Sequence, residues 1–401
     1  MTAQDRDLTA REAAQQLGIS LSTLYAYVSR GMIRSRPGPA GSREKRYAAS
    51  DVLTLKERHA LRRDPSRSSE TALSWGTPVL ESAITLIEDS QLYYRGYDAV
   101  ELARTTNFQE VVGLLWTGHM GEPVELAPSC DLPALPSELP DSLDTLERVQ
   151  VLLPLLAASD PAAYDLRPHA LCRAGARILT AMANQVAETT VSGPIASAVA
   201  RRWSPGVPGA ERLINAALVI SADHELNPSS FTVRCVAATG APLYDSIIAG
   251  IAALRGIRHG AASYRIEALL AEIDTPDRAE SVLEERLRRG EPIPGFGHNL
   301  YPQGDPRAVT LVELCHELVP EHPSLALADA LVEASATVIQ ERPNVDLGLV
   351  TVARALGMPN GSALKLMALG RVAGWVAHAL EQYPLSRIIR PRAKYVGPAP
   401  Q

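Results

Sequence analysis

Cysteine is scarce and scattered. The 401 residues contain four, Cys130, Cys172, Cys235 and Cys315, and no Cys-x-x-Cys pair. That spacing excludes a disulfide scaffold or a zinc ribbon as the organising principle. Long hydrophobic runs are missing too: no apolar stretch approaches the roughly 20 residues needed to span a bilayer. The opening MTAQDRDLTAREAAQQ is too polar for a secretory signal. Repeats of fixed period and low-complexity tracts are absent, and alternating β-branched runs are few. The remaining composition is ordinary, with 46% apolar and 21% charged residues, which excludes whole-chain disorder. The expectation is a soluble, cytoplasmic protein of two or three domains with no membrane partner.

Charge is unevenly distributed along the chain. Residues 1–67 carry 13 Lys/Arg against 7 Asp/Glu, whereas the remainder carries 26 against 38, within a total of −6. A basic head on an acidic body suggests two modules with different partners, a polyanion being the natural one for the head.

The head punctuates into short helices. Thr9-Ala10-Arg11-Glu12 has the form of a capping box, in which hydroxyl and carboxylate satisfy the free amides of a new helix. Ala13, Ala14 and Leu17 form its apolar stripe and Gly18 closes it. Ser20 or Ser22 caps a second helix carrying Leu21, Leu24, Tyr25 and Val28, and Ser50-Asp51 caps a third from Val52 to Arg63. Between them, a Gly/Pro-rich loop flanked by Arg34, Arg36, Arg43, Lys45 and Arg46 reads as a β-hairpin.

The segment LTAREAAQQLGISLSTLYAYVSRGMI, followed by the basic loop and RYAASDVL, resembles the winged helix-turn-helix of the mercury-resistance-regulator and excisionase type. The resemblance implies that residues 1–65 bind double-stranded DNA. Its second helix would present Ser22, Thr23, Tyr25 and Arg30 to bases, and Arg43, Lys45 and Arg46 would meet phosphates. Residues 66–76, rich in Ser and Arg close by, read as a linker.

From Thr77 the chain is Leu/Ala/Val-rich with apolar residues at three- and four-residue spacing. Leu143–Leu153, Ala170–Glu188, Ala210–Ala222, Leu243–Leu254 and Leu364–Gln382 read as helices, with prolines such as Pro154, Pro161 and Pro168 between helical stretches. Residues 77–401 are therefore expected to form an all-α body.

Chemistry concentrates in four strings. Asp223-His224-Glu225 puts a His between two acids at a helix end. His259 is followed by the small residues Gly260, Ala261 and Ala262, which let backbone approach a ligand. Gly295-Phe296-Gly297-His298 implies a special backbone conformation beside a His, and Arg307 nearby offers a two-pronged fork for a carboxylate. Asp346, in Pro343-Asn344-Val345-Asp346, stands before an apolar helix. Each string alone fits an ordinary turn or cap. Cys315, His316 and His322 fit no common metal-site spacing, and no metal is expected.

Taken together and in order, these strings resemble the citrate synthase family. The matching segments are DHELNPSSFTVRCVAATGAPLYDSIIAGIAALRGIRHGAA, GFGHNLYPQGDPRA and PNVDLGLVTVARALGMP, with LYYRGYDAVELA and IIRPRAKYVG at either end. The resemblance implies a two-lobed helical body, with a small lobe at about residues 260–365, assembled as a homodimer. It implies no resident cofactor, a coenzyme A thioester being a substrate. It implies that His259 donates a hydrogen bond to an acetyl thioester oxygen, that Asp346 removes the methyl proton, and that His298 polarises and then protonates the ketone of oxaloacetate. His224, Arg307 and Arg371 would hold substrate carboxylates, and Arg390 would come from the other subunit. Ile257-Arg258, Ala261, Ser263, Asn299 and Leu347 depart from the family's usual Pro-Leu, Gly, Asn, Arg and Phe. These departures leave three functions open. One is citrate formation from acetyl-CoA, another is 2-methylcitrate formation from propionyl-CoA, and the third is a DNA-binding regulator whose body senses these ligands.

Overall fold

The capping box at Thr9 is formed in the computed structural model. Thr9 Oγ1 accepts from Glu12 N at 3.2 Å, and Thr9 N donates to Glu12 Oε2 at 2.8 Å. The structure describes residues 8–29, 33–37, 45–48, 51–52, 80–121, 123–128 and 132–398. They fall into two units, Met1–Glu81 and Ser82–Gln401.

In the first unit, α1 (Ala10–Leu17) ends on left-handed Gly18, and α2 (Leu21–Ser29) follows after a two-residue turn. Ser20 caps α2, its Oγ accepting from Thr23 N at 3.2 Å. Ala13, Ala14, Leu17, Leu24, Ile33, Tyr47 and Val52 form a small core of their own. Leu21 and Tyr25, expected on the apolar stripe of α2, are 40% and 52% exposed, because the helix turns Leu24 into that core and packs Tyr27 and Val28 against it. Strands β1 (Ser35–Pro37) and β2 (Lys45–Tyr47) pair antiparallel, setting Arg36 opposite Arg46. Arg34 grips Asp51 through Nε and Nη2 at 3.0 and 2.8 Å. Arg30, Arg43, the third helix beyond Val52 and the linker lie outside the described residues.

The second unit opens with a meander the sequence reading did not anticipate: β3 (Thr85–Glu88), β4 (Gln91–Tyr94) and β5 (Tyr97–Asp98). Two-residue turns at Asp89-Ser90 and Arg95-Gly96, all in the left-handed region, join the strands. Fourteen described helices follow. The first seven are α3 (Ala99–Thr105), α4 (Phe108–Thr117), α5 (Thr145–Ala158), α6 (Pro168–Ala187), α7 (Ile195–Trp203), α8 (Ala210–Ser221) and α9 (Pro228–Ala237). The rest are α10 (Leu243–Leu254), α11 (Ala262–Ile273), α12 (Ala279–Arg288), α13 (Pro306–Leu318), α14 (Pro323–Val338), α15 (Val345–Ala355) and α16 (Ser362–Gln382). Pro154 lies inside α5 rather than between helices: its ring is on the exposed side, while Leu152, Leu153 and Leu156 keep the helix on the core. No described helix is long and apolar enough to cross a membrane.

Helix α16 is the buried axis of this unit, and it packs on α8 at two glycines. A methyl group at Gly370 would run into the Leu218 carbonyl, and one at Gly374 into the Ala222 carbonyl and the Asp223 carboxylate. Only glycine allows this approach, so the end of α8 and the residues after it lie directly on α16. From the other side Tyr94 of β4, fully buried, sets its hydroxyl 3.0–3.1 Å from the carbonyls of Val219, Ile220 and Asp223. The meander thus holds the turn that carries His224.

Candidate active site

Three helix N-termini bring the sequence-predicted residues together. Asn227 caps α9, its Oδ1 accepting from Ser229 N and Ser230 N at 3.1 and 3.2 Å. Asp305 caps α13 and Asn344 caps α15, each followed within two residues by a candidate side chain, Arg307 and Asp346. Pro228 and Pro306 occupy first helical positions, where a missing N–H costs nothing.

The Gly295–His298 loop is knitted to the segment before Asp346. Gly297 N donates to Arg342 O and Asn344 N to Gly295 O, both at 2.9 Å. Gly295 and Gly297 have φ of 94° and 73°, values that exclude most side chains. His298 Nδ1 accepts from Leu300 N at 3.2 Å, so the neutral ring carries its proton on Nε2. His224 Nε2 lies 2.9 Å from the Tyr301 hydroxyl. The rings of His224 and His298 meet edge-on at 5.1 Å, and Tyr301 covers His298 at 4.9 Å. The Arg307 guanidinium sits 5.2 Å from the centre of the Tyr301 ring.

The arginines differ from the sequence expectation in one respect. The Arg307 fork is already spent: Nε and Nη2 donate to the Asp305 carboxylate at 2.9 and 2.8 Å, both side chains being buried. Asp305 Oδ2 also accepts from Val345 N at 2.9 Å, so one carboxylate ties Arg307 to the start of α15. Burial works against the Arg307 charge, but Asp305 outweighs it and the pKa stands above its ordinary value. Among the described residues Arg371 uses only Nε, donating to Ser221 O at 2.8 Å, which leaves its two terminal nitrogens as a fork.

His259, just before α11, is held through Ser229. His259 Nε2 is 3.0 Å from Ser229 Oγ, which lies 2.7 Å from Asn227 Oδ1 and accepts from Trp375 Nε1 at 3.2 Å. Burial, assisted by the Arg371 charge, lowers the pKa of His259 to about 4. Burial and Arg307 lower that of His298 to about 4 as well. His224 is driven well below its ordinary value by burial, then by Arg307. All three imidazoles are therefore neutral at pH 7.

Asp346 behaves in the opposite sense. Its Oδ1 is sealed from solvent and has no hydrogen-bond partner among the described residues. Burial raises its pKa to about 7, although Arg307 and Arg371 both pull it down. The site thus combines two buried cations, three uncharged imidazoles and one carboxylate poised to exchange a proton near neutrality, a set suited to an anionic substrate and proton abstraction. Arg390 lies on the exposed stretch after α16 and takes no part in these contacts. No cluster of three or more potential metal ligands occurs among the described residues.

Residues 72–392 match the family described as "Citrate synthase, C-terminal domain". The chain belongs to the citrate synthase family. It is thereby an acyltransferase-family member. It is 32% identical to Citrate synthase 2 of Bacillus subtilis, over 81% of this chain and 95% of that protein. It is 29% identical to the Citrate/2-methylcitrate synthase of the same organism, over 78% and 91%. The crystal structure of citrate synthase from Thermotoga maritima superposes with a TM-score of 0.68 at 28% identity, over 81% of this chain and 95% of that one. The mostly helical fold is that of the family.

Tyr301, Ser229, Trp375 and Asp305 were missed by the sequence reading, though they touch the residues it chose. Tyr301 and Asp305 stand inside GFGHNLYPQGDPRA, close enough to His298 and Arg307 to have been suspected. Trp375 gives no sequence signal, since it meets Ser229 only because α9 and α16 cross.

Proposed function

We propose that the body condenses acetyl-CoA with oxaloacetate and water, giving citrate and free CoA. The observation that carries this reading is Asp346, a sealed carboxylate without a hydrogen-bond partner, lying in the field of both arginines. It removes a proton from the acyl methyl group. His259, its ring held by Nε2 at 3.0 Å from Ser229 Oγ, donates to the thioester oxygen and so stabilises the enol as it forms. The enol carbon bonds to the ketone carbon of oxaloacetate, and the ketone oxygen takes a proton from Nε2 of neutral His298. Water then cleaves the thioester. Arg371, the terminal nitrogen left on Arg307, and His224 hold the dianion. A second copy of the chain supplies Arg390, and the lobe at about residues 260–365 closes over the site to exclude water.

Propionyl-CoA, giving 2-methylcitrate, is the nearest alternative donor. Thiol release with oxaloacetate and a panel of acyl-CoAs ranks the two. Release of no CoA with any short acyl donor overturns the enzymatic reading.

A second activity rests on the first unit. Like charges placed directly opposite in a strand pair are destabilising, yet Arg36 faces Arg46 with Lys45 beside them. Such a hairpin fits a winged helix-turn-helix that meets DNA phosphates, while Ser22, Thr23, Tyr25 and Arg30 serve the bases and Arg43 joins Lys45 and Arg46. Fluorescence anisotropy with duplex DNA is expected to show binding that weakens steeply with salt, and Lys45→Ala/Arg46→Ala should flatten that slope by about two counterions. Equal, undetectable binding at low salt by the full chain and by the chain lacking residues 1–65 removes this activity.

A further inference from the structure

One buried histidine has no part in the chemistry above. His378 of α16 is fully buried, as is Asp223, and its Nε2 lies 3.1 Å from Asp223 Oδ1. Its Nδ1 faces the Arg234 guanidinium at 3.5 Å. A guanidinium only donates, so Nδ1 is an acceptor and Nε2–H points at Asp223. Arg234, itself 1% exposed, is fixed by Glu381 and Gln382 at 3.2 and 3.1 Å.

This pair is the third rung of a ladder. Arg371 Nε holds Ser221 O, Gly374 N holds Ala222 O at 2.9 Å, and His378 Nε2 holds Asp223. Three successive residues of the turn are thus gripped by three points on one face of α16, spaced by three and four residues. The next residue is His224. On its far side Asp223 Oδ2 accepts from Thr85 Oγ1 at 2.5 Å. Burial pushes the Asp223 pKa up, but His378 and Arg371 outweigh it and hold the carboxyl below its ordinary value. Its charge in turn sustains that of Arg371, which burial depresses.

We propose that His378 is a positioning residue for the dicarboxylate substrate: through Asp223 it fixes the turn that aims His224 and keeps Arg371 oriented. The proposal rests on the reading of His224 and Arg371 as the carboxylate holders. It is tested by calorimetric titration of the full chain with oxaloacetate, which needs no turnover. His378→Met keeps the volume and loses the donor, and is expected to weaken binding by about tenfold or more, the scale for one hydrogen bond to a buried charge. His378→Gln, whose amide N–H can reach Asp223, should restore binding to within about threefold of wild type. The KM for acyl-CoA should stay within about twofold in both variants. A Met variant that binds like wild type, or Met and Gln variants equally impaired, overturns the proposal. Should the Met variant not fold, Thr85→Val removes a donor to the same carboxylate and should weaken binding in the same direction; unchanged binding then overturns it. Wild-type chain that binds no oxaloacetate removes the carboxylate site and this proposal with it. Wild-type binding beside an unchanged Met variant overturns the role of His378 alone.

Discussion

Replacing Asp346 by alanine is expected to lower the turnover of acyl-CoA condensation by on the order of 10²–10⁴-fold, the range for a positioned general base. Oxaloacetate binding should survive, because Arg307 and Arg371 are fixed by Asp305 and Ser221 and not by Asp346. The pH dependence makes the assignment sharper. The base works only when charged, and burial places its pKa at about 7. In the free enzyme kcat/KM should therefore fall about tenfold per pH unit below an apparent pKa near 7, with no matching loss from His259 or His298, which stay neutral down to about 4. The linkage to stability has the opposite sign. A carboxyl whose folded pKa is raised stabilises the fold when protonated, and that contribution is lost progressively as pH rises from the ordinary carboxylate range through about 7. Asp346→Asn should accordingly be inactive yet gain stability over wild type at pH 8 more than at pH 5, measured by urea denaturation. An alanine variant as active as wild type removes the assignment.

Asp346 is picked out in the sequence by the family resemblance, and why it looks ordinary as a lone residue is a matter of distance along the chain. In sequence it is an acid one residue into a helix, where the dipole ordinarily stabilises its charge by about 0.3–1 kcal/mol. The burial that reverses this comes from segments far away: Gly295 O accepts from the Asn344 amide, and Asp305 from the Val345 amide. The helices themselves were legible. Leu243–Leu254 reads in sequence as it folds, and the long periodic run ending at Gln382 is α16. The Thr9–Glu12 cap, a purely local device, is equally plain. The meander of β3 to β5 was not, because strands of two to four residues are too short for alternation to register. Pro154 misled for a related reason: it has no N–H to give to a helix interior, but Leu152, Leu153 and Leu156 bury enough apolar surface to carry the helix past it. The Asp223–His378 pair spans 155 residues, and no short-range pattern announces it.

The buried ion pair at the base of the site should dominate the stability of the body. Arg307 and Asp305 are 3% and 0% exposed in their side chains, and the pair also caps α13 and anchors α15. Arg307→Met leaves a buried, ionised carboxylate without its counter-charge, which typically costs about 3–5 kcal/mol. Much of that cost is the desolvated charge left behind rather than the lost attraction, so removing the second charge should recover it. The double variant Asp305→Asn/Arg307→Met keeps one side-chain carbonyl oxygen for the helix amides and carries no charge at either position. It should regain more than half of the lost stability in urea denaturation, leaving a coupling energy of about 2 kcal/mol in the double-mutant cycle. The recovered protein should still bind oxaloacetate poorly, because the cation beneath Tyr301 is gone. Additive losses in the two single variants would mean that the pair is solvated more than its burial indicates. Full binding by the double variant would mean that Arg371 alone holds the substrate, and that Arg307 serves only to keep Asp305 charged at the junction of α13 and α15.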